Sequence, residues 1–345
     1  MPEREAALIA FLEHNNWTPE ARSPLADDAS FRSYERLRDG TRQAVLMNAP
    51  PPEEDTRPFI RIANHLRSLN LSAPVIYAHD TDNGFLLLED FGDATYTQVF
   101  SRSLDREQEL YELAVDVLIY MHRLPADELN LQGLARYDTQ AYLKEVALFT
   151  GWYLPQVLTA PLPREAEITY KSLWQGLFSF VETQPQALVL RDYHVDNLVW
   201  LETYAGLQSC GLLDFQDALI GSRAYDLMSL LEDARRDVSD ELAAGLLARY
   251  FAAFDELSEP GPARDAFEAI YAILGAGRHA KVIGIFTRLC VRDGKPVYLA
   301  HIPRVWRLLE RSLGHPMLSS LADWFDTYVP QNQRKTPSNL IDEDK

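Results

Sequence analysis

Three polar residues in one stretch have the types and spacing that phosphoryl transfer requires. Asp192 closely follows the apolar run 188–190, Asn197 comes five residues later, and Asp214 ends the next apolar run. Short apolar runs of this kind predict buried strands that carry polar residues to an exposed edge. In an antiparallel hairpin the start of one strand lies beside the end of the next, so Asn197 and Asp214 should be neighbours.

This arrangement predicts the parts of a phosphotransferase site. Carboxylate and amide oxygens are suitable ligands for Mg²⁺, which leaves room for substrate phosphates. Asp192 can receive the proton of a hydroxyl that attacks a phosphate. A single Asp–Asn pair is usually a solvated loop, but the spacing, the hairpin and the second aspartate together favour phosphoryl transfer. We therefore predict Asp192 as the catalytic base and Asn197 and Asp214 as the metal ligands.

The order D-x-x-x-x-N followed by D-F is that of the catalytic and metal loops of protein kinases. Neither the histidine nor the glycine of those loops is present, because Leu190 and Gln216 stand there. The run instead resembles the aminoglycoside phosphotransferase superfamily, which has a histidine two positions after the aspartate, as His194 is here. Downstream, Asp226 can be an N-cap of a helix, a support for the catalytic loop, or a ligand.

The surrounding pattern predicts an α+β, protein-kinase-like bilobal fold with a β-rich N-terminal lobe and a mainly helical C-terminal lobe. Strand-like runs at 30–37 and 42–47 flank an Asp-Gly turn, and a second hairpin is predicted over 75–89. From Asp105 onward the apolar spacing is mainly helical. We predict a nucleotide-binding lobe over 1–93 with a hinge at its end, a catalytic and substrate lobe over 94–329, and a disordered tail over 330–345.

The predicted nucleotide site lacks two usual parts. The loop before the first hairpin contains no glycine, and the chain has no lysine before Lys144. Side chains of Ser30, Phe31 and Arg32 must therefore replace close backbone contacts to phosphate. Arg32 is the first candidate for the missing cation, with Arg57 and Arg61 second, and a plain surface position is the alternative. The resemblance also implies that backbone groups of Glu89 and Phe91 meet the adenine edge.

Composition narrows the class of partner. The formal net charge is −18, which argues against nucleic acid or an anionic membrane as the partner. Two cysteines give no disulfide framework, and the charged N-terminus has no signal pattern. We predict a cytoplasmic protein that acts on small molecules, with a monomer favoured.

A basic segment bears on the acceptor. Residues 275–311 contain eight Lys or Arg and two acidic residues. Arg278 and Lys281 either line the acceptor site or belong to a solvated face. A cationic stripe suits a neutral or anionic acceptor better than a polycation. Trp152 can stack on a sugar ring or belong to the core, and His194 and Asp217 are further candidate substrate contacts.

A narrower resemblance covers most of the chain. The segments 29–34, 47–51, 189–197, 213–218, 277–286 and 292–296 are similar to those of the bacterial N-acetylmuramate/N-acetylglucosamine kinases, which phosphorylate the anomeric hydroxyl with ATP and Mg²⁺ in peptidoglycan recycling. That resemblance implies a sugar 1-phosphate as the product. Two alternatives stay open: a kinase of another small alcohol such as an aminoglycoside, choline or homoserine, and a binding module without catalysis.

Overall fold

The computed structural model describes residues 2–25, 31–125 and 133–340, and the chain folds into two compact units. The first comprises Met1–Val117 and Val195–Ala218, and the second comprises Leu118–His194 and Leu219–Lys345. The helices are α1 Pro2–His14, α2 Arg57–Ser68, α3 Tyr96–Arg102, α4 Glu107–Arg123, α5 Thr139–Leu148, α6 Leu154–Val157, α7 Arg164–Glu182, α8 Ala224–Leu231, α9 Asp240–Ala252, α10 Asp255–Ser258, α11 Pro262–Asp293, α12 Ile302–Leu313 and α13 Ser319–Tyr328.

The first unit is built on a five-stranded antiparallel sheet. Its strands are β1 Arg22–Pro24, β2 Ser33–Asp39, β3 Arg42–Asn48, β4 Ile76–Asp80 and β5 Phe85–Leu88, in the spatial order β1-β2-β3-β5-β4. The apolar side of α1 covers one face, where Leu8, Phe11 and Leu12 pack with Leu46 and Phe85. Both predicted hairpins are present, because alternating residues and Gly-containing turns specify them locally.

Two short antiparallel strand pairs lead into the loops that carry the predicted catalytic and metal-binding residues. In the first unit β7 (Leu198–Trp200) pairs antiparallel with β8 (Cys210–Leu212), so that Leu198 lies opposite Leu212. In the second unit β6 (Gln186–Val189) pairs with β9 (Leu219–Ser222). The loop with Asp192 therefore begins just after β6, and the loop with Asp214 begins just after β8.

The second unit is mainly helical and surrounds α11. This helix has 32 residues and contacts α5, α8 and α12 among others. By length and composition it could cross a membrane, but 78% of its apolar window is buried within the structure. An apolar helix buried on most sides is the usual core of a helical domain.

A π-helix, Phe149–Tyr153, lies between α5 and α6. Pro155 lies just after it, at the start of α6. Proline at a helix start needs no intrahelical hydrogen bond of its own. Trp152 lies in this π-helix and is partly exposed, whereas Tyr153 is buried.

The described part of the tail, residues 330–340, contains two short 3-10 helices, Gln331–Gln333 and Ser338–Leu340. The Tyr153 hydroxyl lies 2.6 Å from the Gln333 carbonyl oxygen and 2.7 Å from that of Lys335. Arg334 also pairs with Glu310 at 3.1 Å. Long-range contacts of this kind offset the low apolar content that predicted disorder, and residues 341–345 lie outside the described residues.

Gly284 lets α11 approach the turn that precedes the π-helix. A Cβ atom at this position would lie 2.4 Å from the Leu148 carbonyl carbon and 2.7 Å from the Phe149 nitrogen. These are backbone atoms, so the two helices would have to separate. We expect Gly284→Ala to lower the free energy of unfolding by about 1–3 kcal/mol, as overpacking does, measured by urea denaturation.

Gly245 provides the matched control, because it lies within α9 and a Cβ there would meet nothing within 4 Å. Gly245→Ala should leave stability unchanged or raise it by up to about 1 kcal/mol through helix propensity. Equal stability of the Gly284→Ala variant and the unmodified protein would contradict the close approach.

Candidate active site

Asn197 and Asp214 lie side by side in the first unit, as the hairpin register predicts. The Leu213 amide donates to the Asn197 carbonyl at 3.0 Å. The Asn197 side-chain amide donates to Asp214 Oδ2 at 3.4 Å, and Gln216 donates to Asp214 Oδ1 at 2.7 Å. Asp214 has a φ of 56°, which turns the chain sharply at the end of β8. The β7–β8 hairpin therefore brings the carboxylate of Asp214 and the side-chain amide of Asn197 next to each other.

This donor set fits a hard divalent cation. Within the described residues, no group of three or more His, Cys, Asp or Glu forms a metal cluster. Asn197 and Asp214 would therefore supply only part of a coordination sphere. Mg²⁺ sites are commonly of this kind, with one or two protein oxygens and with water and phosphate oxygens completing the octahedron.

Arg32 lies against the same carboxylate. Its Nη2 is 3.7 Å from Asp214 Oδ1, its Nε is 3.6 Å from Glu54 Oε2, and its side chain is only 11% exposed. Burial lowers the pKa of Arg32, but Tyr34, Asp214 and Glu54 outweigh it and leave the pKa raised. A guanidinium that lies near two acids, Asp214 and Glu54, can bind a phosphate bidentately.

The other predicted phosphate contacts are placed differently. Phe31 is 71% exposed, and Ser30 lies outside the described residues. Arg57 is 77% exposed and pairs with Asp55 at 2.8 Å. The structure thus brings Arg32, and not Arg57, to the Asp214 carboxylate.

The segment Glu89–Phe91 is fixed within the first unit. The Glu89 amide donates to the Val75 carbonyl at 2.8 Å, and the Phe91 ring packs on Gly211, where a Cβ would come within 2.9 Å of it. Arg36 is buried on β2 and pairs with Asp90 at 2.7 Å. Arg36 was not among the predicted site residues, because nothing sets it apart on a strand that also carries Glu35 and Arg38.

The catalytic loop in the second unit is held by Asp226. Its carboxylate accepts hydrogen bonds from the Leu190 amide at 2.7 Å and the Arg191 amide at 2.9 Å. Burial raises the pKa of Asp226 to about 7, partly opposed by these two amides. Arg191 has a φ of 72°, a conformation that needs such support in a residue other than glycine. Of the three roles left open for Asp226, the geometry matches a loop support that orients the following Asp192.

Glu145 on α5 supports the loop from a second side. It accepts hydrogen bonds from Arg191 at 2.7 Å, from Lys281 at 2.8 Å and from the Tyr137 hydroxyl. Burial raises the pKa of Glu145, but Lys281 and Arg191 outweigh it and the pKa is lowered. Glu145 was not among the predicted site residues; the available signal was an acid directly before the apolar run 146–149. Lys281 therefore has an internal counter-charge.

His194 and Arg278 are buried near this loop. His194 is 6% exposed, and burial lowers the pKa of its imidazole, which is therefore neutral at neutral pH. Arg278 is 8% exposed, and Asp226, His194 and Glu232 all experience its charge. Asp217, in contrast, is exposed in the first unit, where Gln216 donates to it at 3.4 Å.

Comparisons with known proteins agree with this chemistry. Residues 22–264 match a family described as phosphotransferase enzyme family. An N-acetylmuramate/N-acetylglucosamine kinase of Caulobacter vibrioides is 36% identical over 96% of this chain and 99% of its own length. A kinase of the same name from Pseudomonas aeruginosa is 38% identical over 87% of this chain and 86% of its own. The solved choline kinase from Streptococcus pneumoniae has the same fold, with a TM-score of 0.58 at 9% identity over 89% of this chain and 98% of that one.

Proposed function

Because the chain belongs to the phosphotransferase enzyme family, and within it to the N-acetylmuramate/N-acetylglucosamine kinases, we propose that it phosphorylates these two amino sugars with ATP. The acceptor is the anomeric hydroxyl, and the product is the sugar 1-phosphate. This reaction belongs to peptidoglycan recycling, and the proposed enzyme acts as a cytoplasmic monomer.

The observation that carries the proposal is the pairing of Arg32 with Asp214 in the first unit. Phosphoryl transfer needs a cation on the phosphates and a metal site next to it. Here the guanidinium and the Asn197–Asp214 pair occur together, although the usual lysine and the glycine-rich loop are absent from the sequence. A binding module without catalysis would not need Arg32, Asn197 and Asp214 together.

On the nucleotide side, we assign Arg32 to the phosphates, with Ser30 and Phe31 as further contacts. Glu54 helps to hold the Arg32 guanidinium, since its Oε2 lies 3.6 Å from Nε of Arg32. The backbone carbonyl of Glu89 and the backbone of Phe91 meet the adenine edge, since the Glu89 amide already donates to Val75. Mg²⁺, bound by Asn197 and Asp214, would supply charge neutralisation of the phosphates.

On the acceptor side, Asp192 orients the hydroxyl. The anomeric oxygen forms a bond to the γ-phosphorus, the bond from that phosphorus to the bridging oxygen breaks, and ADP leaves. Asp192 accepts the proton late, because a hemiacetal hydroxyl is more acidic than an ordinary alcohol. Asp226 and Glu145 position this residue by holding the backbone and side chain of Arg191.

Five further residues remain candidate substrate contacts. His194 would meet the sugar as a neutral hydrogen-bonding group, and Trp152 would stack on a ring from its partly exposed position. Asp217 is accessible to a ligand, whereas Lys281 would have to share its charge with Glu145. Arg278, buried on α11, is the fifth candidate.

We predict that ADP release with ATP and Mg²⁺ occurs with N-acetylmuramate and N-acetylglucosamine and not with kanamycin, choline or homoserine. The physical reason is the acceptor charge, since the buried cations of the second unit disfavour polycationic and quaternary ammonium acceptors. Turnover of kanamycin or choline instead would establish the alternative of another small-alcohol kinase. Nucleotide binding without turnover of any of the five acceptors would indicate a binding module.

A further inference from the structure

Arg278 lies in the buried middle of α11 without the counter-charge that its neighbour Lys281 has. Its side chain is 8% exposed, and Nη1 has no hydrogen-bond partner anywhere in residues 2–25, 31–125 and 133–340. Lys281, three residues later, is neutralised by Glu145 at 2.8 Å. A buried guanidinium nitrogen without a hydrogen-bond partner destabilises the fold. Such a group persists when it has a function other than stability.

Asp226 and Glu232 both experience the charge of Arg278, and neither forms an ion pair with it. Asp226 accepts the two amides of the catalytic loop. Glu232 lies 3.3 Å from His279 and 3.4 Å from Arg311. Burial raises the pKa of both carboxyl groups to about 7, so each is only partly ionised at neutral pH. Among the described residues of the second unit, the positive charge of Arg278 is therefore incompletely balanced.

The site beside Arg278 is also close to the reaction. Lys281, three residues from Arg278 on the same helix, shares the carboxylate of Glu145 with Arg191, the residue that precedes Asp192. Phosphate itself has a separate cationic partner, Arg32, in the first unit. An anion recognised by Arg278 is thus better assigned to the acceptor than to the nucleotide.

We propose that Arg278 forms a carboxylate subsite that recognises the lactyl group of N-acetylmuramate. This inference rests on the proposed function and sets the preference between its two sugars. N-acetylmuramate carries a lactyl ether with a carboxylate, and N-acetylglucosamine has a hydroxyl there instead. The planar guanidinium matches a carboxylate in shape and charge, and no carboxylate among the described residues forms an ion pair with it.

The test compares kcat/KM for three acceptors: N-acetylmuramate, its neutral carboxamide and N-acetylglucosamine. The unmodified protein should prefer the acid over the carboxamide by about 10- to 100-fold, the size of a charge-assisted hydrogen bond. Arg278→Met should reduce the ratio of N-acetylmuramate to N-acetylglucosamine by a similar factor, and it should no longer distinguish the acid from the carboxamide. Arg278→Lys, which keeps the charge and loses the fork, should fall between.

Arg292→Met is the matched control, because Arg292 lies on the same helix, is exposed and pairs with Asp293. It should leave all three ratios unchanged. Thermal unfolding gives a second readout. Removing a buried cation that has no ion-pair partner should not lower the unfolding midpoint of Arg278→Met. If Arg278 instead stabilises the fold, that midpoint should fall.

Equal losses on both sugars in Arg278→Met and Arg278→Lys would overturn the subsite, as would an unmodified protein that does not distinguish the acid from the carboxamide. The comparison of the acid with the carboxamide needs no variant, so it can overturn the subsite even if Arg278→Met does not fold. Failure of the proposed function has a different signature, namely no turnover of either sugar by the unmodified protein.

Discussion

Replacing Asp192 by Asn is expected to lower kcat by about 10²- to 10⁴-fold, the range that a general base contributes. Asn keeps the size and one acceptor oxygen of Asp but cannot take the proton of the sugar hydroxyl. The loop itself should keep its shape, because Asp226 and Glu145 hold it through Leu190 and Arg191. The measurement is ADP release at saturating ATP and N-acetylglucosamine.

The affinity for ATP separates chemistry from folding in this variant. Titration calorimetry should give an ATP dissociation constant within about threefold of the unmodified protein, since Asp192 has no proposed contact to the nucleotide. Asp39→Asn is a suitable control because Asp39 is exposed at the end of β2. A kcat for Asp192→Asn within tenfold of the unmodified protein would contradict the role of catalytic base.

Asp214→Asn should reduce kcat/KM by about 10³-fold at millimolar Mg²⁺. A catalytic metal contributes several kcal/mol of transition-state stabilisation, and each 1.4 kcal/mol, roughly, is a factor of ten. The substitution also removes the negative charge that faces Arg32 at 3.7 Å, leaving Glu54 as the acid that holds that guanidinium. Asn adopts the positive φ of this position readily, so the backbone should not change.

The dependence on metal concentration identifies the cause of the loss. We expect the Mg²⁺ activation curve of Asp214→Asn to move to higher concentration and its activity to recover partly with excess metal. Asp39→Asn again serves as the control, with an unchanged curve. An unshifted Mg²⁺ midpoint in Asp214→Asn would show that this carboxylate is not a metal ligand.

The sequence by itself determined the hairpins and the residues that they bring together. The neighbouring positions of Asn197 and Asp214 follow from two short apolar runs and a turn, which specify an antiparallel register over 17 positions of chain. The order of strand-like and helical runs predicted the bilobal kinase-like fold class, and the motifs around Asp192 and Asp214 carried the resemblance to the phosphotransferase family. Both are confirmed. Local periodicity and turn chemistry suffice for such features because their contacts are close in sequence.

Only the tertiary structure decided which charges meet. Arg32 pairs with Asp214 across 182 positions of sequence, Glu145 with Lys281 across 136, and Leu190 with Asp226 across 36. The sequence presented Arg278 and Lys281 as one basic stripe, but folding gave Lys281 an acidic partner and left Nη1 of the buried Arg278 without a hydrogen bond to any described residue. The physical reason is that a side chain's partner depends on which distant element packs against it, and helical spacing fixes only the face on which the side chain lies.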